Sequence, residues 1–210
     1  MNKIGIYKYG SCNVHSLVNA LEIMSLDFEV FDSTSALKNH KRVILPGVGN
    51  MKIIDENSMR NISRDLRIFS ENGGLIYGIC LGLQMLFEFS EESNKNTLGL
   101  LSGKTVSVNK LLGKNLNVNF NSLIFNNSHL NNNFIQKIFL NIPKSARYYF
   151  LHSYYCSTNN DKILQINSNV KDNKVPSFFI DKNIFGSQFH PELSGENGLK
   201  LLKNFSEIVI

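Results

Sequence analysis

Along the first hundred residues, short apolar runs alternate with stretches whose apolar residues recur every three or four positions. "KIGIY" (3–7) reads as a strand. In "VHSLVNALEIM", Val14, Leu17, Val18, Leu21 and Met24 share one helical face, with Asn13 as a candidate N-cap. "FEVF" (28–31) and the run at 41–45, ahead of Pro46, are strands. The region 57–71 predicts a helix that stops before Gly73-Gly74, and "LIYGI" (75–79) is a strand again. Uninterrupted apolar strands suit a sheet covered on both faces. The βαββαβα order therefore predicts an α/β protein with a largely parallel sheet and helices on both sides.

The second half follows a different rhythm. "TVSVN", "NVNFN", "SLIFN", "YYFLHSYY", "ILQIN", "SFFID" and "NIFGSQF" are strand-like, with few helical stretches before a closing helix at 196–208. In that helix Leu199, Leu202, Phe205 and Val209 fall on one side. The Asn-rich pieces at 115–133 and 157–173 interleave apolar residues, which predicts exposed strands and loops rather than disorder. No internal repeat or linker divides the chain. The expectation is a single α/β domain over 1–210, with a mixed, mostly parallel central sheet flanked by helices.

Composition narrows the function classes. With 210 residues, 42% of them hydrophobic and 19% charged, the chain can bury a substantial core. The net charge of +5 comes from scattered lysines without a dense basic block, so no nucleic-acid partner is expected. Cys12, Cys80 and Cys156 lack CxxC spacing, which points to a reducing compartment. The N-terminus "MNKIGIYKYG" has no apolar core of a signal peptide, and no run approaches the roughly 18 apolar residues of a membrane span. A cytoplasmic protein with no membrane association is the plain expectation.

Three short motifs carry chemistry. "GICLG" (78–82) sits where a strand gives way to a helix, the setting of a nucleophile elbow with cysteine in place of serine. A helix starting after Cys80 would aim free N–H groups and its positive end at the sulfur. The bland alternative is that Cys80 is one more small buried hydrophobe. "GSQFHPE" (186–192) supplies the imidazole a thiol needs, with Glu192 two residues on from His190, able to lie beside it if the segment is extended, and with Pro191 limiting local freedom. His15, His40 and His129 take a structural role by default. "LPGVGN" (45–50), with Gly47 and Gly49, offers backbone freedom for a main-chain oxyanion hole. It lacks the Lys-Ser/Thr of a phosphate-binding loop, and no His/Cys cluster has metal-ligand spacing, so neither a cofactor nor a metal is expected.

Together "LPGVGN", "GICLGLQMLFEFSEES", "GLLSGKTV", "YYFLHSYY" and "GSQFHPELSGENGLKLLKNF" resemble a class I (triad-type) glutamine amidotransferase, more specifically the glutaminase subunits of imidazole glycerol phosphate synthases. The resemblance runs from "YGSCN" to the last helix. It implies a Cys80–His190–Glu192 triad that hydrolyses glutamine, an oxyanion held by the amide of Leu81 and by a peptide near Val48 and Gly49, and a glutamine pocket lined by Gly47, Gln84, Glu92, Ser153 and Tyr154. It also implies a heterodimer with a (β/α)8-barrel cyclase subunit. That subunit receives the ammonia in histidine biosynthesis, and a change in the "PGVG" peptide switches hydrolysis on.

Departures from the family pattern fall on the partner side. "LNVNFN" (116–121) puts Phe120 and Asn119 where the family has Trp and Gly, Leu193 follows the HPE where Lys is common, and "KYG" brings Lys8 in place of Asp. These keep open a paralogous amidotransferase that supplies ammonia for amidination of a surface-polysaccharide sugar. A stand-alone cysteine hydrolase such as a γ-glutamyl hydrolase, and a non-catalytic binding subunit, are the readings from other classes.

Overall fold

The computed structural model describes residues 3–10, 12–47, 52, 54–170 and 172–209. Its first half alternates strand and helix: β1 (Ile4–Tyr7), α1 (His15–Ile23), β2 (Phe28–Phe31), β3 (Arg42–Leu45), α2 (Glu56–Glu71), β4 (Leu75–Ile79) and α3 (Leu81–Leu86). Then come β5 (Phe89–Ser90), β6 (Lys95–Asn96), β7 (Lys104–Ser107), α4 (Asn109–Leu112), β8 (Asn117–Ile124), α5 (Asn127–Leu130) and α6 (Asn133–Ile138). The chain closes with β9 (Arg147–His152), β10 (Tyr154–Ser157), β11 (Leu164–Val170), β12 (Asn173–Asp181), β13 (Ile184–Ser187) and α7 (Gly195–Glu207).

Among the described residues, nine strands form one sheet in the order β2-β1-β3-β4-β13-β12-β11-β8-β9. Pairings from β2 to β13 are parallel and those from β13 to β9 antiparallel. The mixed sheet expected from the two rhythms of the sequence is therefore one continuous layer. A smaller sheet, β10-β7-β5-β6, stands beside it. Side-chain alternation along the strands sorts the core. Ile44, Tyr77 and Ile79 join α1, α6 and α7 on one face. Val43, Leu45 and Ile76 join α2 and α3 on the other.

The helices are placed by their apolar spacing and caps. In α2, Met59, Ile62, Leu66 and Phe69 are the buried stripe, and the Asp55 carboxylate accepts from the Asn57 and Ser58 amides at its start. In α1 Leu17, Ala20 and Leu21 are buried; the N-cap is Val14, with no side-chain cap, rather than Asn13, whose side chain accepts only locally from the His15 N–H.

Four further expectations need correction. "NVNFN" and "SLIFN" are one strand, β8, because nothing between Phe120 and Leu123 interrupts its pairing with β9 and β11. "YYFLHSYY" is two strands in different sheets, since the chain turns at Ser153. The Asn-rich stretch 115–133 contains helix starts rather than only strands and loops. Asn126 forms a reciprocal capping box with His129, and Asn132 accepts from the Phe134 and Ile135 amides. In α7, Leu201, Leu202 and Phe205 are buried, whereas Val209 lies beyond the helix end and is exposed.

Candidate active site

The turn from β4 into α3 puts Cys80 at φ 45°, ψ −99°, a conformation that costs a side-chain-bearing residue about 1–3 kcal/mol. The backbone is pinned there: Cys80 N–H donates to the Ser187 carbonyl at 2.7 Å, and Gln84 N–H to the Cys80 carbonyl at 3.0 Å. Both flanking glycines are required by close approach. A Cβ on Gly78 would lie 2.6 Å from the Leu83 amide nitrogen, and one on Gly82 would overlap the carbonyl oxygen of Leu45. The pentapeptide thus folds as an elbow because its outer positions carry no side chain.

His190 follows β13 and reaches the same place. Its N–H donates to the Tyr149 carbonyl at 2.9 Å, and the Ser194 hydroxyl donates to its carbonyl at 2.5 Å, so both sides of its backbone are held. Its Nδ1 is 2.8 Å from Glu192 Oε1, and both side chains are buried. The expected extended H-x-E pairing is replaced by a 3-10 turn, Pro191–Leu193, with Pro191 as its first residue. That turn folds Glu192 back onto the ring. Burial alone would lower the His190 pKa. Hydrogen bonding and charge from Cys80, and then from Glu192, outweigh burial and push it up to about 10. With Nδ1 engaged by the carboxylate, Nε2 is the nitrogen left for the sulfur.

Other contacts complete the cluster. The Leu81 N–H donates to the Gly47 carbonyl at 3.4 Å, and Gly47 packs against the His190 ring. The Tyr9 hydroxyl donates to the Pro46 carbonyl. Cys80 Sγ lies 3.8 Å from the Leu151 carbonyl and accepts from Gln188 Nε2 at 3.6 Å. Gln84 Nε2 donates to the Tyr154 carbonyl at 2.9 Å. His152 is buried, and its pKa falls to about 4. Burial is the main cause, opposed by the hydrogen bond to Tyr154 and reinforced by the charges of His190 and Lys114.

The structure therefore brings Cys80, Leu81, Gly47, Gln84, Tyr154, His190 and Glu192 into one connected set. Ser153 lies at the edge of this set, its carbonyl accepting from the Val108 N–H. Glu92 sits half-buried in the turn between β5 and β6, and among the described residues no hydrogen bond ties its side chain to the cluster. Its neighbour Glu91 instead pairs with Lys104 and Lys110. Val48 and Gly49, the expected second oxyanion position, lie outside the described residues. A cavity of about 760 Å³ opens at the other end of the parallel strands, between Arg42, Leu75 and Ile208, and Cys80 and His190 do not line it.

A cysteine elbow facing a carboxylate-bound imidazole is the chemistry of acyl transfer. The family model "Glutamine amidotransferase class-I" matches residues 6–208. The chain belongs to the class-I glutamine amidotransferases. Among members of the family, it is 34% identical to "Imidazole glycerol phosphate synthase subunit HisH" of Geobacillus sp. (strain WCH70), over 98% of this chain and 97% of that one. It is 35% identical to the protein of the same name in Caldanaerobacter subterraneus subsp. tengcongensis, over 98% of each. The Bacillus subtilis (strain 168) namesake is 33% identical over 98% of this chain and 96% of the relative.

Solved amidotransferase-type structures share the fold at lower identity. "Structure of PurLQS from Thermotoga maritima" superimposes with a TM-score of 0.73 at 23% identity, covering 98% of both chains. "Crystal structure of glutamine amidotransferase" gives 0.70 at 16%, covering 96% of this chain and 98% of that one. Within this class-I amidotransferase, sequence reasoning singled out the elbow and the His-Glu pair but missed Gln188 and His152. The available signal was polarity out of place: an amide and an imidazole inside the apolar strand runs "IFGSQF" and "YYFLHSYY".

Proposed function

We propose that this chain is the glutaminase subunit of an imidazole glycerol phosphate synthase, hydrolysing glutamine to glutamate and passing ammonia to a (β/α)8-barrel cyclase subunit in the cytoplasm. The observation that carries the reading is the 2.8 Å His190–Glu192 pair held against the strained Cys80. In this mechanism the Cys80 proton goes to His190 Nε2, and the thiolate attacks the side-chain amide carbon of glutamine. His190 then returns the proton to the departing nitrogen, which leaves as ammonia. Water, deprotonated by His190, hydrolyses the thioester to glutamate and restores the thiol.

Leu81 N–H and a peptide at Val48–Gly49 receive the oxyanion, and Gly47, Gln84, Glu92, Ser153 and Tyr154 surround the substrate. The Leu81 N–H is now occupied by the Gly47 carbonyl, so that carbonyl has to turn away before the donor can serve. Such a turn is a natural point of control by the barrel subunit. The subunit would dock on the apolar surface of β8 and β9, where Val118, Phe120 and Leu151 are 43–49% exposed, with Leu193 beside them at 43%. A surface-polysaccharide acceptor gains no support from the relatives named above, which carry the imidazole glycerol phosphate synthase name.

The test is reconstitution with the barrel subunit encoded by the same organism. Cys80→Ala should abolish glutamine-dependent synthesis of imidazole glycerol phosphate and leave synthesis from added ammonium salt intact. Retained glutamine-dependent turnover would overturn the reading.

A further inference from the structure

Besides His190, two groups touch the sulfur of Cys80, with opposite preferences. The Leu151 carbonyl, at 3.8 Å, can only accept, and so favours the thiol. The side-chain Nε2 of Gln188, at 3.6 Å, can only donate, and so favours the thiolate. Gln188 is completely buried, and its own N–H is fixed on the Ser177 carbonyl at 2.8 Å. Which end of its amide meets the sulfur is decided elsewhere, by a single backbone carbonyl.

That carbonyl is Tyr154 O. It has no proton to give, so both groups that meet it must donate: Gln84 Nε2 at 2.9 Å and His152 Nδ1 at 2.9 Å. Gln84 thereby turns an N–H toward Gln188 Oε1, 3.5 Å away, which leaves the Gln188 Nε2 group aimed at Cys80. On the other side, His152 is the Nδ1–H tautomer, and its bare Nε2 accepts from Asn117 Nδ2 at 2.9 Å. Asn117 Oδ1 then accepts from Asn119 Nδ2 at 2.7 Å. Every amide in the row is oriented by Tyr154, and the row ends with an N–H on the nucleophile.

We infer that Gln188 is a further catalytic residue of the glutaminase site, a fixed hydrogen-bond donor that stabilises the Cys80 thiolate and is itself oriented by Gln84 and the Tyr154 carbonyl. The inference rests on the reading of Cys80 as the nucleophile. In forming the thiolate the proton passes from Sγ to His190 Nε2, and the Gln188 N–H remains in place to share the charge left on sulfur. A donor already held in place by Gln84 needs no reorganisation when that charge appears.

The experiment is alkylation of the full chain by iodoacetamide as a function of pH, which reads the thiolate directly. The other titratable groups around the sulfur are His190 and Glu192 on the 3-10 turn, Cys156 on β10, Tyr9 after β1, and His152 on β9 through His190. All are unchanged in Gln188→Met, which keeps the volume and removes the donor. Its alkylation midpoint should rise by about one pH unit, a roughly tenfold loss of thiolate at fixed pH, and Gln188→Glu should rise further. In the reconstituted complex, kcat should fall about tenfold while the KM for glutamine changes less than about twofold.

In the wild type, the Gln188 side-chain NH2 resonance should move with the Cys80 midpoint and stop moving in Cys80→Ala, a readout that stands if the variants do not fold. A Gln188 resonance indifferent to the state of Cys80, or midpoints unchanged in both variants, would overturn the inference. Failure of the function reading is distinguishable: there Cys80→Ala itself would keep its glutaminase activity.

Discussion

Gly82 faces the carbonyl of Leu45 with no room between them for a Cβ, so the first turn of α3 lies directly against the end of β3. The contact is with backbone, which cannot rotate away. Gly82→Ala should therefore push the elbow off the sheet, costing about 1–3 kcal/mol of stability and most of the glutaminase activity. A urea titration and a glutaminase assay check both. Alanine tolerated at Gly82 with full activity would mean that the elbow is not held by this contact.

Stability should report the His190–Glu192 pair through its pH dependence. The folded His190 pKa of about 10 lies above the ordinary value near 6.5, so its contribution is complete below about pH 6.5 and fades as pH rises through about 10. Glu192→Gln removes the carboxylate's share. The gap in urea midpoint between wild type and Glu192→Gln should be widest near pH 6 and close toward pH 10. A gap that does not vary with pH would show that charge is not what couples them.

The apolar surface of β8 and β9 allows the proposed docking of a barrel subunit to be tested separately from folding. Phe120 rests on Tyr149 with ring centroids 5.2 Å apart, and Val118 pairs with Leu151 across the strands. The double variant Phe120→Asp, Leu193→Asp should leave the unfolding free energy within about 1 kcal/mol of wild type while weakening association with the proposed barrel subunit ten- to a hundredfold, by roughly the cost of losing an interface anchor. Calorimetric titration of the two purified subunits measures this.

What could be read from the chain was set by how local each cause is. The parallel strands and α2 were legible because their signals, apolar runs and a 3/4 spacing, lie within a few residues of one another. The elbow was legible because Gly78 and Gly82 bracket Cys80 directly. Asn126 and Asn132 misled because asparagine suits both loops and helix starts, and only the residues that follow decide which. The break at Ser153 has no local signature, since residues on both sides of it are strand-like and only their pairing partners differ. Gln188 and His152 depend on the Tyr154 carbonyl, a group present in every residue and so invisible as a letter.

The position of β13 has a consequence for how the protein comes into being. This strand is among the last elements in the chain, yet it lies between β4 and β12, where it joins the two halves of the large sheet. The sheet can therefore close only after the ribosome has released β13, when the strands on both sides of it are already made. His190, Glu192 and Gln188 arrive with the same segment. On the proposed mechanism, a nascent chain that already carries Cys80 but not this segment lacks both the imidazole and the amide that activate the sulfur, and so spends no glutamine before the fold is finished.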